Sequence, residues 1–175
     1  EDKIIIDIFL KKNIQKGVFV EFGAWDGIHL SNCKLLVDND WSGFFIEGDF
    51  SRFEECKKNY ENNDKVQILN KFISENYSLN QLIKDNDINK IDVLSVDIDG
   101  KDLRELKRLD LIRPKVIVIE YNATIPFDVE CEDNVGGNGS GFLSIFNYLT
   151  KKKYDFINFT PSNLIFIDKD FNQNE

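Results

Sequence analysis

The chain has 175 residues, of which 42% are hydrophobic and 30% are charged, a composition typical of a globular domain that buries a sizeable core. Its formal net charge of −9 argues against nucleic acid or an anionic membrane surface as the main partner, because both would repel it. Its longest apolar runs have only the length of a β-strand, which predicts no membrane insertion and no signal peptide.

The three cysteines, Cys33, Cys56 and Cys131, are widely spaced and form no C-x-x-C pair. An odd, scattered set favours buried free thiols in a reducing, cytoplasmic compartment over a disulfide framework or a metal knuckle. The chain contains no methionine, even at its first position. We therefore expect a single domain over residues 1–175 that is trimmed or excised from a longer polypeptide, whose other domains are expected partners.

Apolar, strand-like segments recur along the chain, and a helical pattern follows most of them. They begin near Val18, Phe44, Val66, Asp92 and Val116. This alternation is typical of a doubly wound, Rossmann-like α/β domain with a mostly parallel sheet and helices on both faces. Two further segments, "YDFINF" and "NLIFID", are separated only by residues 160–162, which is too short for a crossover. The sequence thus predicts a seven-stranded sheet whose last strand is antiparallel.

Local signals predict several helix boundaries. An apolar stripe over residues 4–9 indicates a helix that ends with Gly17 in the C′ position. Another helix is expected to begin directly after Gly27, where the helical pattern starts. Ser51 and Glu54 have the spacing of a capping box, which predicts the start of the next helix.

Carboxylates stand at the carboxyl ends of the predicted parallel strands, which is where such sheets bind their ligands. They are Glu21, Asp26, Glu47, Asp49, Asp97, Asp99 and Glu120. Crowding so many negative charges costs free energy unless a cation lies among them. The pattern therefore predicts a positively charged ligand at this edge of the sheet.

The segment "VFVEFGAWDG" runs from a strand into a glycine turn. An acid about 20 residues beyond such a turn, here Glu47 after Gly27, is placed to hydrogen-bond a ribose diol. Both NAD and S-adenosylmethionine carry that diol. Glu21 and Asp26 would repel the pyrophosphate of NAD, and the G-x-G-x-x-G pattern is absent. The sulfonium and ammonium groups of S-adenosylmethionine suit the acid-lined turn better.

Four segments resemble motifs of class I S-adenosylmethionine-dependent methyltransferases, and of the FkbM-like family in particular. They are "VFVEFGAWDG", "FFIEGD", "IDVLSVDIDGKDLREL" and "NLIFID". The resemblance implies a cofactor site made of Glu21, Gly23, Asp26, Gly27, Glu47, Asp49 and Phe72. In that site the residues of the glycine turn surround the methionine moiety, Glu47 holds the ribose and Phe72 lies against adenine.

Members of this family mostly O-methylate sugars or sugar-containing products. The resemblance thus implies a small-molecule acceptor: a sugar, a sugar phosphate or a nucleotide-linked precursor of a surface polysaccharide. The chain departs from the family pattern after Glu47, where Gly48 and Asp49 stand in place of the usual proline, and in "EYNATIPF" after the fifth strand. These departures bear on the acceptor more than on the cofactor.

A hydroxyl acceptor must lose its proton when it is methylated. His29 is the only histidine and follows Gly27 closely, at the expected mouth of the helix. A general base at this position would face both the cofactor and the acceptor. The alternative is a histidine that only caps or hydrogen-bonds the loop.

Oxygen ligands for a metal occur at two adjacent strand ends. They are Asp97, Asp99, Glu120 and Asn122, and their i, i+2 spacing places each pair on one side of its strand. Their position is similar to that of the ligands in catechol-type O-methyltransferases, which implies Mg or Mn that lowers the pKa of the acceptor oxygen. In this hypothesis Asp97 and Glu120 are catalytic together with His29. The alternatives are that Asp97 serves the cofactor and that Glu120 only orders its loop.

Two other functions are compatible with the sequence. Asp97-x-Asp99 is also typical of a metal-dependent glycosyltransferase with a DxD motif, although that function leaves Glu47 without a role. The second is a non-catalytic binding module of a larger glycan-tailoring enzyme. The glycine-rich segment from Asn134 to Gly141 is predicted to be either an acceptor lid or a slack connector.

Overall fold

The computed structural model describes residues 1–74, 76–132 and 139–173. Its strands are β1 (Val18–Phe22), β2 (Ser42–Glu47), β3 (Val66–Asn70), β4 (Val93–Val96), β5 (Val116–Glu120), β6 (Tyr154–Phe159) and β7 (Asn163–Asp168). Its helices are α1 (Asp2–Lys11), α2 (Lys34–Asp38), α3 (Phe50–Asn59), α4 (Leu79–Asp85), α5 (Asp102–Arg108), α6 (Phe142–Lys151) and α7 (Lys169–Gln173). Most of the predicted lid or connector falls on residues 133–138, which lie outside the described residues. Among the described helices, none is both long and apolar enough to cross a membrane.

All of these strands form one sheet in the order β3-β2-β1-β4-β5-β7-β6. Strands β1 to β5 run parallel to one another, and β7 lies antiparallel between β5 and β6. The predicted fold class is therefore confirmed. The short turn over residues 160–162 returns the chain at once, so β7 can only run antiparallel to β6.

Alternate residues of each strand face opposite helical layers. Val20 of β1 packs in one core with Leu82 of α4 and Leu103 of α5. Its neighbour Phe19 packs in the other core with Phe9 of α1. Because both faces of the sheet are covered, the central strands are mostly apolar, and most of their charged side chains lie at the strand ends.

Two predicted helix boundaries are wrong. Helix α1 ends at Lys11 rather than near Gly17, since Asn13 adopts a φ of 57° that does not continue a right-handed helix. The helix expected directly after Gly27 begins only at Lys34, and residues 28–33 form turns and bends. Buried carboxylates accept backbone N–H groups of this segment, which replaces the hydrogen bonds that a helix would supply.

The predicted capping box of Ser51 and Glu54 is also wrong. Asp49 is the N-cap of α3, and its Oδ1 accepts a hydrogen bond of 3.0 Å from the backbone N–H of Arg52. Ser51 therefore lies inside the helix. A carboxylate at this position satisfies a free N–H group and interacts favourably with the helix dipole.

Candidate active site

A cavity of about 940 Å³ opens at the carboxyl ends of the central parallel strands. It lies where the strand order reverses between β1 and β4, the usual ligand position in such sheets. The predicted carboxylates that line it are Glu21, Glu47, Asp49, Asp97, Asp99 and Glu120. Its volume is near the upper end of the range for small-molecule sites.

The turn after β1 requires glycine at its first position. Gly23 has a φ of 73°, and a Cβ there would lie 1.6 Å from the carbonyl oxygen of Asp97. Its N–H donates to the carbonyl oxygen of Ile46 at 3.0 Å, so the loop lies close to the ends of both β2 and β4. Gly27 has a φ of 72°, and its carbonyl oxygen accepts a hydrogen bond from the hydroxyl of Tyr60 at 2.5 Å. Both glycines thus shape the turn.

Glu47, the last residue of β2, is buried and lines the cavity. Its Oε2 accepts the N–H of Trp25 and its Oε1 the N–H of Asp49, both at 2.8 Å. Each oxygen keeps a further lone pair, which suits the two hydroxyls of a ribose diol. Asp49 also lines the cavity, although its Oδ1 caps α3.

Phe72 is 71% exposed at the same cavity, with its ring beside Gly48, where a planar base could stack.

Glu21 anchors the loop that follows the glycine turn. Its Oε2 accepts the hydroxyl of Ser31 at 2.7 Å and its Oε1 the N–H of Asn32 at 2.8 Å. Burial raises the pKa of Glu21 to about 7, although these hydrogen bonds oppose the shift. The amide of Asn32 in turn donates to the hydroxyl of Ser95 on β4 at 3.0 Å. Asn32 and Ser95 were not among the predicted site residues; the signal for them was a serine inside the apolar strand "VLSV".

Asp26 orients His29. Its Oδ1 accepts the N–H groups of Ile28 and His29 at 2.9 and 2.8 Å, and its Oδ2 lies 2.5 Å from Nδ1 of His29. Burial acts to raise the pKa of Asp26, but the hydrogen bonds from His29 and Ile28 outweigh it and lower the pKa. The hydrogen bond to Asp26 and its charge raise the pKa of His29. The His29 side chain is 78% exposed and lines the cavity, so its Nε2 can meet an acceptor.

Asp97, Asp99 and Glu120 converge at the ends of β4 and β5. Each offers an oxygen atom within 4.8 Å of the others. Burial and the charge of Asp99 raise the pKa of Asp97 to about 6. Burial and the charge of Asp97 raise the pKa of Glu120 to about 8. Both carboxyls therefore hold a proton more tightly than free carboxyls do, and a bound cation would oppose these shifts.

The three side chains fit a divalent cation. Ligand atoms at about 2.0 to 2.4 Å from one ion lie at most about 4.8 Å apart, and the oxygens of Asp97, Asp99 and Glu120 satisfy that limit. A set made only of oxygen atoms suits Mg or Mn better than Zn.

Asn122 and Asp102 have roles in the local backbone. Oδ1 of Asn122 accepts the N–H and the hydroxyl of Thr124 at 2.9 and 2.6 Å, so its lone pairs are used in a turn. Asp102, which was not among the predicted site residues, is buried and accepts the N–H groups of Ile98 and Gly100 at 2.7 and 3.0 Å. Burial raises the pKa of Asp102 to about 7. Its signal in the sequence was an acid directly before the apolar residues Leu103 and Leu106 of α5.

The fold is that of class I S-adenosylmethionine-dependent methyltransferases. An O-methyltransferase from Bacillus cereus in complex with S-adenosylhomocysteine superposes with a TM-score of 0.64 at 13% identity, covering 95% of this chain and 80% of that chain. The N-methyltransferase NodS from Bradyrhizobium japonicum, also with S-adenosylhomocysteine, gives 0.60 at 10% identity, covering 95% and 85%. TrmK from M. capricolum in complex with the same molecule gives 0.56 at 13% identity, covering 94% and 67%. At these identities the likeness establishes the fold.

The sequence narrows the class to a family. The model of the methyltransferase FkbM domain matches residues 26–156, and the chain belongs to that family. No curated protein matches it. Membership favours methyl transfer over the glycosyltransferase that the DxD pattern had also suggested.

Proposed function

We propose that the protein transfers a methyl group from S-adenosylmethionine to a hydroxyl of a small glycan precursor: a sugar, a sugar phosphate or a nucleotide-linked sugar. The observation that carries this proposal is Glu47, a buried carboxylate beside the glycine turn with lone pairs left for a ribose diol. Family membership supports methyl transfer. The cofactor is supported by structures of the same fold that contain S-adenosylhomocysteine.

The cavity suits the charge of this cofactor. S-adenosylmethionine carries a sulfonium and an ammonium against one carboxylate, and the acids at the strand ends favour such a cation. The glycine turn would hold the methionine moiety, Glu47 the ribose, and Phe72 would lie against adenine. The half-exposed ring of Trp25 adds a wall, stacked under the guanidinium of Arg52 at 4.6 Å.

The chemistry requires a path for one proton. When bound, S-adenosylmethionine supplies a methyl carbon that bonds to the acceptor oxygen, while the C–S bond breaks and its electron pair stays on sulfur. Nε2 of His29 would accept the proton of the acceptor hydroxyl and later release it to solvent. Asp26, bound to Nδ1, stabilises the imidazolium that forms.

We further propose that Asp97, Asp99 and Glu120 hold Mg or Mn, with Asn122 beside them. A bound divalent ion would polarise the acceptor oxygen and lower its pKa. Support comes from the convergence of the three carboxylates and from charge balance, because one cofactor molecule with a net charge of about +1 cannot offset so many acids. In the structure Oδ1 of Asn122 accepts hydrogen bonds from Thr124. Asn122 could therefore coordinate the metal only if its side-chain amide rotated.

We also propose a cytoplasmic setting, in which the small-molecule acceptor and further domains of the same polypeptide are the partners. Cys33 and Cys56 are buried free thiols, and Cys131 is partly buried. Such a set is common where thiols stay reduced.

Calorimetry with S-adenosylhomocysteine tests the cofactor proposal. Glu47→Ala should weaken binding about 10- to 150-fold, the equivalent of about 1.5 to 3 kcal/mol for hydrogen bonds to a charged group. Glu54→Ala, which removes an exposed carboxylate from α3, is the matched control and should bind normally. Thermal unfolding of Glu47→Ala would separate loss of binding from loss of the fold. If wild type does not bind, or if Glu47→Ala binds as wild type does, the cofactor proposal fails.

A further inference from the structure

A second cavity, of about 310 Å³, opens beside the first one. Asp99, Glu120 and Ser162 line both cavities, so these side chains form a wall common to the two. The volume lies at the lower end of the range for small-molecule sites, which suits a group of the size of one sugar ring.

The rest of the second cavity combines apolar surface with acids. Tyr121, Ala123 and Pro161 supply the apolar part, and the acids are those of the common wall together with Asp102. Among the described residues, no lysine, arginine or histidine lines it. The first cavity differs in this respect, because it is also lined by Lys34, Arg52, Lys71 and Lys101. Among the described residues, the second cavity is therefore lined by charged groups of one sign, whereas the first is lined by both.

The negative character of the second cavity does not depend on the metal. One divalent cation brings two positive charges, and the three carboxylates of Asp97, Asp99 and Glu120 bring three negative ones when ionised. An anionic group that enters the second cavity would meet Asp99, Asp102 and Glu120, and no basic side chain among its described lining residues would compensate for these acids. A neutral hydroxyl or an amine would instead find hydrogen-bond acceptors.

We propose that the second cavity binds the unit of the acceptor that is methylated, and that it selects an unphosphorylated sugar unit over an anionic one. The inference rests on the proposed function and narrows it. The common wall would bring a hydroxyl of this unit next to the cofactor cavity, while the apolar surfaces of Tyr121, Ala123 and Pro161 contact its C–H groups. An amino group on the ring is compatible with the same wall.

A matched set of hexoses tests the charge selection. Methyl glucoside, glucosamine, glucose 6-phosphate and glucuronic acid are incubated with the enzyme and S-adenosylmethionine in the presence of Mg, and methyl transfer is followed by mass. We expect the neutral or amino sugar to be methylated, and the two anionic sugars to show a kcat/KM lower by about tenfold or more. An anionic sugar used equally well would overturn the inference. So would an enzyme that binds S-adenosylhomocysteine and methylates none of the four. Failure to bind S-adenosylhomocysteine would instead overturn the proposed function itself, and this inference with it.

Variants of the cavity wall test its location. Ala123→Trp fills the second cavity and should raise the KM of the accepted sugar about tenfold or more, while the Kd of S-adenosylhomocysteine stays unchanged. Val129→Trp is the control, because Val129 is exposed, lies between β5 and α6 as Ala123 does, and does not line the cavity. It should leave the KM of the sugar and the Kd of S-adenosylhomocysteine as in wild type. Ser162→Lys places a cation in the common wall and should improve glucose 6-phosphate relative to methyl glucoside. An unchanged KM in Ala123→Trp, or an unchanged preference in Ser162→Lys, would contradict the assignment.

Discussion

Nδ1 of His29 lies 2.5 Å from Oδ2 of Asp26, and the carboxylate also accepts the backbone N–H of the same histidine. Asp26 therefore fixes both the backbone and the ring of His29. This arrangement leaves Nε2 as the nitrogen that can exchange a proton with a ligand. It also makes the ring sensitive to the charge on Asp26, since the imidazolium is stabilised by the neighbouring carboxylate.

The first prediction concerns the pKa of His29. The wild-type value should lie above the ordinary 6.5, because the hydrogen bond and charge of Asp26 stabilise the protonated ring. In Asp26→Asn the pKa should fall towards 6.5. The chain has one histidine, so its ring proton gives a single resolved signal in an NMR titration. Equal pKa values in the two proteins would show that the pair is not formed in solution.

The second prediction concerns His29 as a base. Once an acceptor that the enzyme methylates is identified, His29→Ala should reduce kcat by about 10²- to 10⁴-fold, the usual contribution of a general base. It should not change the affinity for S-adenosylhomocysteine. In wild type kcat/KM should rise with pH through the pKa of His29, because only the neutral ring accepts a proton. In Asp26→Asn this rise of kcat/KM should occur at lower pH. Normal turnover by His29→Ala would leave the histidine with only a hydrogen-bonding role in its loop.

The third prediction concerns the metal. Turnover should be lost in excess chelator and return with Mg or Mn, because the acceptor oxygen then regains its polarising cation. Asp97→Asn and Glu120→Gln should each lower activity by orders of magnitude and still bind S-adenosylhomocysteine. Independently of activity, Mn at about 100 times its Kd should stabilise wild type by about 2.7 kcal/mol in thermal unfolding.

Asp64→Asn is the matched control for this prediction, because Asp64 is exposed and distant in the chain from the cluster. It should keep both activity and the stabilisation by Mn. Full turnover in excess chelator would show that no metal takes part in catalysis. If Mn stabilised Asp97→Asn against thermal unfolding as much as wild type, Mn would not be bound by Asp97, Asp99 and Glu120.

The fourth prediction concerns stability and pH. The folded protein raises the pKa of Glu21 from 4.5 to about 7, so it binds this proton more tightly than the unfolded chain does. The resulting stability is fully present below pH 4.5 and is lost as the pH rises through 7, by up to about 3 kcal/mol at 1.36 kcal/mol per pKa unit. Asp97, Asp102 and Glu120 are shifted in the same direction. Wild type without ligand should therefore unfold more easily at pH 8 than at pH 5.

Glu21→Gln isolates the contribution of this carboxyl. A glutamine can accept the N–H of Asn32 and share a hydrogen bond with Ser31 without titrating. Urea unfolding at a series of pH values should therefore show a flatter pH dependence in the variant than in wild type. Parallel curves for the two proteins would mean that Glu21 titrates near its ordinary pKa in the fold.

Much of the fold followed from local properties of the sequence. The five parallel strands begin within two residues of their predicted positions near Val18, Phe44, Val66, Asp92 and Val116, because a buried strand needs a continuous apolar run whatever surrounds it. The short turn before Asn163 settled the direction of β7, since chain length alone forbids a crossover. Helix starts were predicted less well. Asp49 rather than Ser51 caps α3. Both side chains can accept a backbone N–H group, and the fold decides which of them reaches one.

The position of acids at the strand ends was likewise a property of the sequence, since parallel strands all end at one edge. Where each carboxylate points was decided by partners distant in the chain. Glu21 accepts hydrogen bonds from Ser31 and Asn32, and Asp26 faces His29. Among the described acids, Asp97, Asp99 and Glu120 come close enough together to share a metal ion. A loop side chain turns towards whichever donor the packed fold brings within reach, and the cost of leaving a buried charge unpaired selects that donor. The sequence alone therefore determined which edge of the sheet carries the acids, and the tertiary structure decided which acids bind the loop, which contacts His29 and which converge at the ends of β4 and β5.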